Sequence, residues 1–178
     1  MNSIRVTRTA LLPDHLRLSR YRKAPELGPS ILFFSGGSAL NEVSEVLKYF
    51  SHNSIHMVTP FDSGGSSAKL RQAFAMPSIG DLRSRLMALA DETITGHPEV
   101  YRLFTYRFSG KKSQSELLQQ LEAMLQGKDP LVDAISNPMR RLIRNQIGYF
   151  YDAMPPDFDL RGASIGNLIL AGGYLNNH

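Results

Sequence analysis

The sequence contains no cysteine. This excludes a disulfide framework, a thiolate zinc site, an iron–sulfur cluster and a cysteine nucleophile, and it fits a cytoplasmic protein. No apolar run approaches the roughly 20 residues that a membrane-spanning helix requires. The N-terminal region also lacks the apolar centre of a signal peptide. We therefore expect a cytoplasmic protein that has no membrane partner.

Two common catalytic patterns are missing as well. The five histidines include no His-x-x-x-His pair, so the sequence predicts no histidine-based metal site. There is no Gly-x-Ser-x-Gly motif, so serine hydrolase chemistry has no support. With 178 residues, of which 42% are hydrophobic, the chain can form a packed core as one domain or as part of a larger one.

The net charge of +4 comes from one segment. Residues 1–30 hold an excess of basic side chains, whereas residues 31–178 are balanced. We interpret residues 1–30 as a basic N-terminal arm or a first strand. No basic stripe is interleaved with aromatic residues, so we expect no nucleic-acid partner. The basic residues of the arm are Arg5, Arg8, Arg17, Arg20, Arg22 and Lys23.

The next part of the chain has the pattern of an α/β unit. Residues 31–34 form a continuous apolar run that predicts a buried strand of a parallel sheet. Apolar residues at helical spacing follow over 38–50, and residues 55–59 predict a second strand. Two strands are too few for a doubly wound sheet. Further strands must lie in the arm, or the chain is one part of a larger fold.

The remaining predicted elements are helices. Apolar stripes at helical spacing predict helices over 82–90, 100–108, 139–154 and 165–175. Ser113 and Glu116 form a candidate capping box for another helix, and Gly127 is a suitable stop for it.

The first candidate site is the turn of Gly36, Gly37 and Ser38 after the first strand. Free backbone N–H groups at such a turn can hold a phosphate, and glycines allow the ligand to approach closely. The alternative is an ordinary tight turn.

The second candidate is the polar loop from Asp62 to Ala68, which follows the second strand. Its glycines and hydroxyls, with the cations Lys69 and Arg71, could surround an oligophosphate. Asp62 could bind Mg²⁺, which prefers oxygen ligands and phosphate. The alternative is a flexible loop in which Asp62 caps a helix. The loop residues assigned to ligand binding are Ser63, Gly64, Gly65, Ser66 and Ser67.

Two shorter segments are further candidates for ligand binding. Asp81 is a candidate ligand contact or the N-cap of a helix over 82–90. Arg83 and Arg85 could reach a phosphate or pair with Asp62. Asn167 could contact a base or a sugar, or cap a helix.

Together these four segments resemble the CofD-like superfamily, which unites 2-phospho-L-lactate transferase with the YvcK-type gluconeogenesis factors. The order and spacing of the motifs are closer to the YvcK-type branch. The resemblance covers residues 31–108 and 162–175, and we interpret residues 110–160 as an α-helical insertion. Family members are much longer, so we expect residues 31–178 to be the N-terminal part of a CofD-like domain.

The resemblance implies a Rossmann-like three-layer αβα fold with a mostly parallel sheet, incomplete in this chain. It implies a nucleotide diphosphate or nucleotide-sugar ligand. For the transferase it implies a magnesium-dependent transfer of a phospholactyl group, and for YvcK-type members a regulatory role in binding UDP-sugars. Asp62 would be the catalytic or metal-binding carboxylate, whereas Ser63 replaces the second acid of the family pattern. The sequence leaves a homodimer open.

Overall fold

The computed structural model describes residues 3–7, 9 and 11–177. These residues form an α/β structure with one small sheet and a larger helical part. In chain order the elements are α1 (His15–Lys23), a 3-10 turn (Pro25–Leu27), β1 (Ile31–Ser35), α2 (Asn41–Leu47), β2 (Ser54–Val58), α3 (Gly65–Phe74), α4 (Gly80–Leu89), a second 3-10 turn (Ile94–Gly96), α5 (Pro98–Thr105), α6 (Gln114–Gln126), α7 (Pro130–Asp133), α8 (Met139–Ala153) and α9 (Ile165–Leu175).

The sheet confirms the predicted parallel α/β unit. β1 and β2 pair in parallel, with Ile31 opposite Ser54 at one end and Ser35 opposite Val58 at the other. The helix α2 connects them, as parallel strands require. Both strands therefore end at the same edge of the sheet, where ligands bind in open α/β folds. The described residues form an incomplete Rossmann-like αβα arrangement.

One face of this sheet is uncovered, and the prediction of a fully buried first strand is wrong on that face. Leu32 is 50% exposed and Phe34 is 74% exposed. Their partners in the register, Ile55 and Met57, are exposed to a similar extent. Because side chains alternate along a strand, only one set of side chains, which includes Ile31 and Phe33, is partly buried.

The alternative of a first strand within residues 1–30 is also wrong for the residues that the structure describes. Residues 15–23 form α1, and Asp14 caps it by accepting a hydrogen bond from the Arg17 backbone N–H. No residue of α1 is buried. Arg8 lies outside the described residues. The basic segment is thus a helix on the outside of the molecule.

Three predicted boundaries change. The helix expected over 100–108 is Pro98–Thr105. The helix expected over 38–50 is limited to Asn41–Leu47, because residues 37–40 form turns. The loop expected over 62–68 ends earlier, because α3 begins at Gly65. Ser67 and Leu70 of α3 are buried, so tertiary packing extends the helix into a segment whose glycines and serines favour a loop.

The core lies mainly among α6, α8 and α9. Residues 110–160 are largely helical. The capping box of Ser113 and Glu116 is present, and Gly127 ends α6 in the left-handed conformation. α8 and α9 approach so closely that a Cβ at Gly172 would lie 1.8 Å from the Gln146 backbone oxygen. None of the helices among the described residues is long and apolar enough to cross a membrane.

Candidate functional site

The candidate site lies at the edge where β1 and β2 end. The turn at 36–38 follows β1, and the segment at 59–64 follows β2. The backbone N–H of Thr59 donates to the Ser35 oxygen at 3.0 Å, which keeps the two segments together beyond the strands. The N-terminal parts of α3 and α4 complete this edge.

The Gly36–Ser38 turn holds a carboxylate of the chain itself. The Gly37 N–H donates to Asp81 Oδ2 at 2.7 Å, and Thr59 Oγ1 lies 3.4 Å from the same oxygen. Gly37 has a φ of +60°, which favours glycine. A Cβ at Gly36 would lie 2.4 Å from Thr59 Oγ1, so the turn and Thr59 can approach only because residue 36 is glycine. Ser38 is exposed in the turn.

Asp81 is therefore not the N-cap of α4, which was one of the two roles predicted for it. α4 begins at Gly80 after the N-cap Ile79, so Asp81 lies inside its first turn. Its side chain crosses to the Gly36–Ser38 turn instead of capping α4. An acidic residue in the first turn is also favourable to the helix dipole.

A buried cation lies behind this turn. Arg85 is only 3% exposed, and it donates to Ser44 Oγ at 2.5 Å and to Ser35 Oγ at 3.4 Å. Burial lowers the pKa of Arg85, and the nearby Asp81 carboxylate opposes that shift. Arg85 does not pair with Asp62, because its guanidinium is directed to the two serines.

The Asp62 loop is ordered around its carboxylate. Asp62 Oδ1 accepts a hydrogen bond from the Gly64 N–H at 2.9 Å, and Gly64 is the N-cap of α3. Asp62 thus shapes the approach to α3 but does not cap it. Its other oxygen, Oδ2, faces Gly80, where a Cβ would lie 2.4 Å from Oδ2 and 2.2 Å from Ser67 Oγ. Gly80 therefore permits the close approach of α4 to this loop.

The two cations predicted to surround a phosphate beside this loop separate in the structure. Lys69 Nζ binds Asp159 Oδ2 at 2.8 Å and the Arg161 carbonyl oxygen at 3.1 Å, so it is turned away from the loop. Arg71 stays beside the loop, with Nη1 at 3.5 Å from the Asp62 carbonyl oxygen. Ser63 and Arg71 line an open groove of about 520 Å³, a size typical of small-ligand pockets.

Asn167 joins this loop from the far end of the chain. It is 2% exposed, and its Nδ2 donates to Ser66 Oγ at 2.7 Å. Its Oδ1 is buried and has no partner among the described residues. Since Asn167 is the third residue of α9, the alternative of a helix cap is wrong: Ser164 precedes the helix. The structure thus brings Asn167 together with the Asp62 loop.

Arg83 and Arg107 lie on the same side of the site. Arg83 Nη1 donates to the Phe104 carbonyl oxygen at 3.3 Å, and it does not pair with Asp62. Burial, and then the neighbouring charge of Arg107, lowers the pKa of Arg83. Arg107 was missed as a site residue. Its only sequence signal is the Tyr106-Arg107-Phe108 pattern, which does not reveal the proximity to Arg83.

The comparison with protein families assigns the chain. It belongs to the family described as 2-phospho-L-lactate transferase CofD, whose model matches residues 31–177. The resemblance to the CofD-like superfamily is therefore confirmed.

Individual relatives place the chain on the gluconeogenesis-factor branch. It is 43% identical over 98 residues to a putative gluconeogenesis factor of Nostoc sp., covering 55% of this chain and 19% of the relative. It is 38% identical over 81 residues to the gluconeogenesis factor of Bacillus subtilis, covering 46% and 24%. An uncharacterized protein of Saccharomyces cerevisiae is 24% identical over 156 residues, covering 82% and 34%.

The chain spans between about a fifth and a third of the length of these relatives. No solved structure gives a significant match.

Proposed function

We propose that this chain binds the diphosphate of a nucleotide or nucleotide-sugar at the Asp62 loop. The observation that carries the proposal is the 2.7 Å hydrogen bond between Asn167 and Ser66, because it unites two polar motifs that lie 101 residues apart. Buried polar side chains with spare hydrogen-bonding capacity in one place are typical of a binding site rather than of a core.

The electrostatics support an anionic ligand. α3 is ten residues long, and its N-terminus carries the positive end of the helix dipole. Gly64 and Gly65 precede the serines of the first turn, so a phosphate can approach the backbone without meeting a Cβ. Arg71 and Arg83 add positive charge on two sides. Gly36, Gly37 and Ser38 would contact the ligand from the β1 side.

Asp62 would hold a Mg²⁺ ion together with the phosphates of the ligand. The described residues contain no group of three or more side chains that could hold a metal by themselves. Mg²⁺ commonly uses one or two protein carboxylates together with ligand phosphates. Asp62 Oδ2 accepts no hydrogen bond from the described residues, and it would be the metal ligand. Bound there, Mg²⁺ would neutralise phosphate charge.

Two activities are compatible with such a site. The family description favours a 2-phospho-L-lactate-transferase-like enzyme that forms a phosphodiester, in which Asp62 would be the catalytic carboxylate. The names of the relatives favour the alternative, a YvcK-type regulator that binds UDP-sugars without turnover. Ser63, in place of a second acid, also favours the regulator. Both activities require the same phosphate site.

Calorimetric titration with GDP, UDP and a UDP-sugar, each with and without Mg²⁺, tests binding. We expect saturable binding that Asp62→Ala weakens about tenfold or more, since it removes charged contacts. Asp157→Ala is the matched control because Asp157 is exposed and distant in sequence. Equal effects of the two substitutions, or no binding, would contradict the proposal.

A second pair of variants tests the position of the carboxylate. Gly80→Ala would force Asp62 and Ser67 apart, so we expect it to weaken binding with Asp62 still present. Gly110→Ala is the control because a Cβ there meets nothing within 4 Å. Circular dichroism of both variants establishes that they fold.

Turnover separates the two activities. Product formed from a nucleotide donor and lost in Asp62→Asn would support the transferase. Tight binding with no product under any metal would support the regulator.

A further inference from the structure

Two arginines beside the site lack a negative partner. Neither Arg83 nor Arg107 forms an ion pair with a carboxylate of the described residues. Each guanidinium has five N–H donors. Arg83 uses one for the Phe104 carbonyl, and Arg107 uses one for the Gly162 carbonyl, both at 3.3 Å. Most donors of the pair are therefore free.

The Arg83 side chain is packed closely against the start of α9. A Cβ at Gly166 would lie 2.6 Å from the Phe104 oxygen and 2.9 Å from Arg83 Cδ. Gly166 thus lets the Arg83 side chain lie directly against the first turn of α9. Arg83 Nε is buried there and has no hydrogen-bond partner among the described residues.

Arg107 is held beside the same helix end. It pairs with Ser164 in an isolated antiparallel bridge. The flanking bonds run from the Phe108 N–H to the Ala163 oxygen and from the Ile165 N–H to the Tyr106 oxygen. This pattern makes Arg107 and Ser164 a non-hydrogen-bonded pair, in which the two side chains are closest. Ser164 Oγ is fully buried and also has no partner.

The positive charges of Arg83 and Arg107 oppose each other. The Arg107 charge contributes to the lowered pKa of Arg83. An anion between the two guanidiniums would remove the repulsion and use the free donors. Arginine pairs bind phosphate well because their planar N–H groups match its oxygens.

We propose that Arg83, Arg107 and Ser164 form a phosphate subsite separate from the Gly36–Ser38 turn, and that Arg107 determines the preference for ligands that carry this phosphate. The inference deepens the proposed function, since the subsite adjoins the Asp62 loop through neighbouring residues of α9. It adds a second position for a phosphate group, beside the Asp62 loop.

The first test uses inorganic pyrophosphate and phosphate as probes in calorimetry. We expect Arg107→Gln to weaken pyrophosphate binding about tenfold or more. Arg102→Gln, an exposed arginine of α5 with the same change in charge, is the control and should change affinity less than twofold. Arg107→Lys should restore only part of the affinity, because lysine lacks the planar fork. Equal effects of the two glutamine variants, or none, would overturn the subsite.

The source of the phosphate is decided by comparing nucleotides. If the subsite holds the terminal phosphate of a nucleotide, Arg107→Gln will weaken the binding of UDP or GDP more than the binding of the matching monophosphate. If it holds a separate phosphorylated molecule, inorganic phosphate will still bind when the protein is saturated with UDP or GDP. Either result supports the subsite.

The two proposals can fail separately. If Asp62→Ala abolishes UDP and GDP binding but Arg107→Gln leaves the affinity for every probe unchanged, the proposed subsite is wrong and the proposed function stands. If no nucleotide binds but pyrophosphate binding depends on Arg107, the subsite stands and the proposed function is wrong. Thermal unfolding of Arg107→Gln provides the folding control, and phosphate should raise the melting temperature of the unsubstituted protein more than that of the variant.

Discussion

The carboxylate of Asp81 accepts a 2.7 Å hydrogen bond from the backbone N–H of Gly37, 44 residues earlier in the chain. The contact ties the first turn of α4 to the turn after β1. It also places a negative charge where a phosphate would otherwise find a free N–H group. A phosphate bound at this turn must therefore displace Asp81 or share a cation with it.

This relationship gives a prediction on stability. We expect Asp81→Ala to lower the free energy of unfolding by about 1 kcal/mol or more, because a charge-assisted hydrogen bond is lost and Arg85 loses a nearby carboxylate. Asp81→Asn should lose less, since the amide oxygen can still accept from Gly37. Urea denaturation measures both, and Asp157→Ala is the control. Equal stability of all three variants would contradict a structural role for this contact.

The contact between Asn167 and Ser66 predicts an energetic coupling. We expect Asn167→Ala and Ser66→Ala each to destabilise the protein, and the double variant to lose less than the sum. The coupling should be about 1 kcal/mol, which is typical of a hydrogen bond between neutral groups. A double-mutant cycle by chemical denaturation measures it. Strict additivity would show that the two side chains do not interact.

Two adjacent glycines of α9 should respond differently to alanine. Gly172→Ala places a Cβ 1.8 Å from the Gln146 backbone oxygen, so we expect a loss of about 3 kcal/mol as α8 and α9 separate. Gly173→Ala meets only the Gln146 side chain at 3.5 Å, and alanine has the higher helix propensity. It should be neutral or slightly stabilising. Thermal melts of both variants test this, and similar melting temperatures would refute the close approach.

Asp159 predicts a dependence of stability on pH. Hydrogen bonds from Arg161 and Lys69 lower the pKa of this carboxyl well below its ordinary value. Because the folded pKa is the lower one, the stabilisation is present above the unfolded value of about 4 and is lost as the pH falls below it.

Unfolding of the protein and of Asp159→Asn at pH 7, 4 and 2.5 checks this dependence. The difference in stability should shrink as the pH falls, whereas Asp157→Asn should show no such change. Since Asp159 is partly exposed, solvent screening will keep the effect small. A constant difference across this range would refute the ion pair.

Local sequence patterns predicted the elements well. The parallel strands, the capping box of Ser113 and Glu116, and the stop at Gly127 all follow from spacing and residue type. These features depend on residues a few positions apart, so they can be inferred without a fold. The motif order likewise predicted the family.

Tertiary packing determined the structural features that local sequence patterns did not predict. The segment at Gly65 became helical because Ser67 and Leu70 are buried, although its glycines favour a loop. Arg85 is similarly directed to Ser44 and Ser35 rather than to Asp62. The exposed face of the sheet was missed because an apolar run does not reveal how many layers cover it.

By itself the sequence determined the α/β character of the region around the site, the helices that surround the core and the residue types available for a phosphate. Only the tertiary structure determined that Asp81 contacts Gly37, that Asn167 contacts Ser66 and that the charge of Arg107 acts on Arg83. The physical reason is that the members of these pairs are 24 to 101 positions apart in the chain. Their proximity depends on how whole helices pack, and the local spacing of residues carries no information about that.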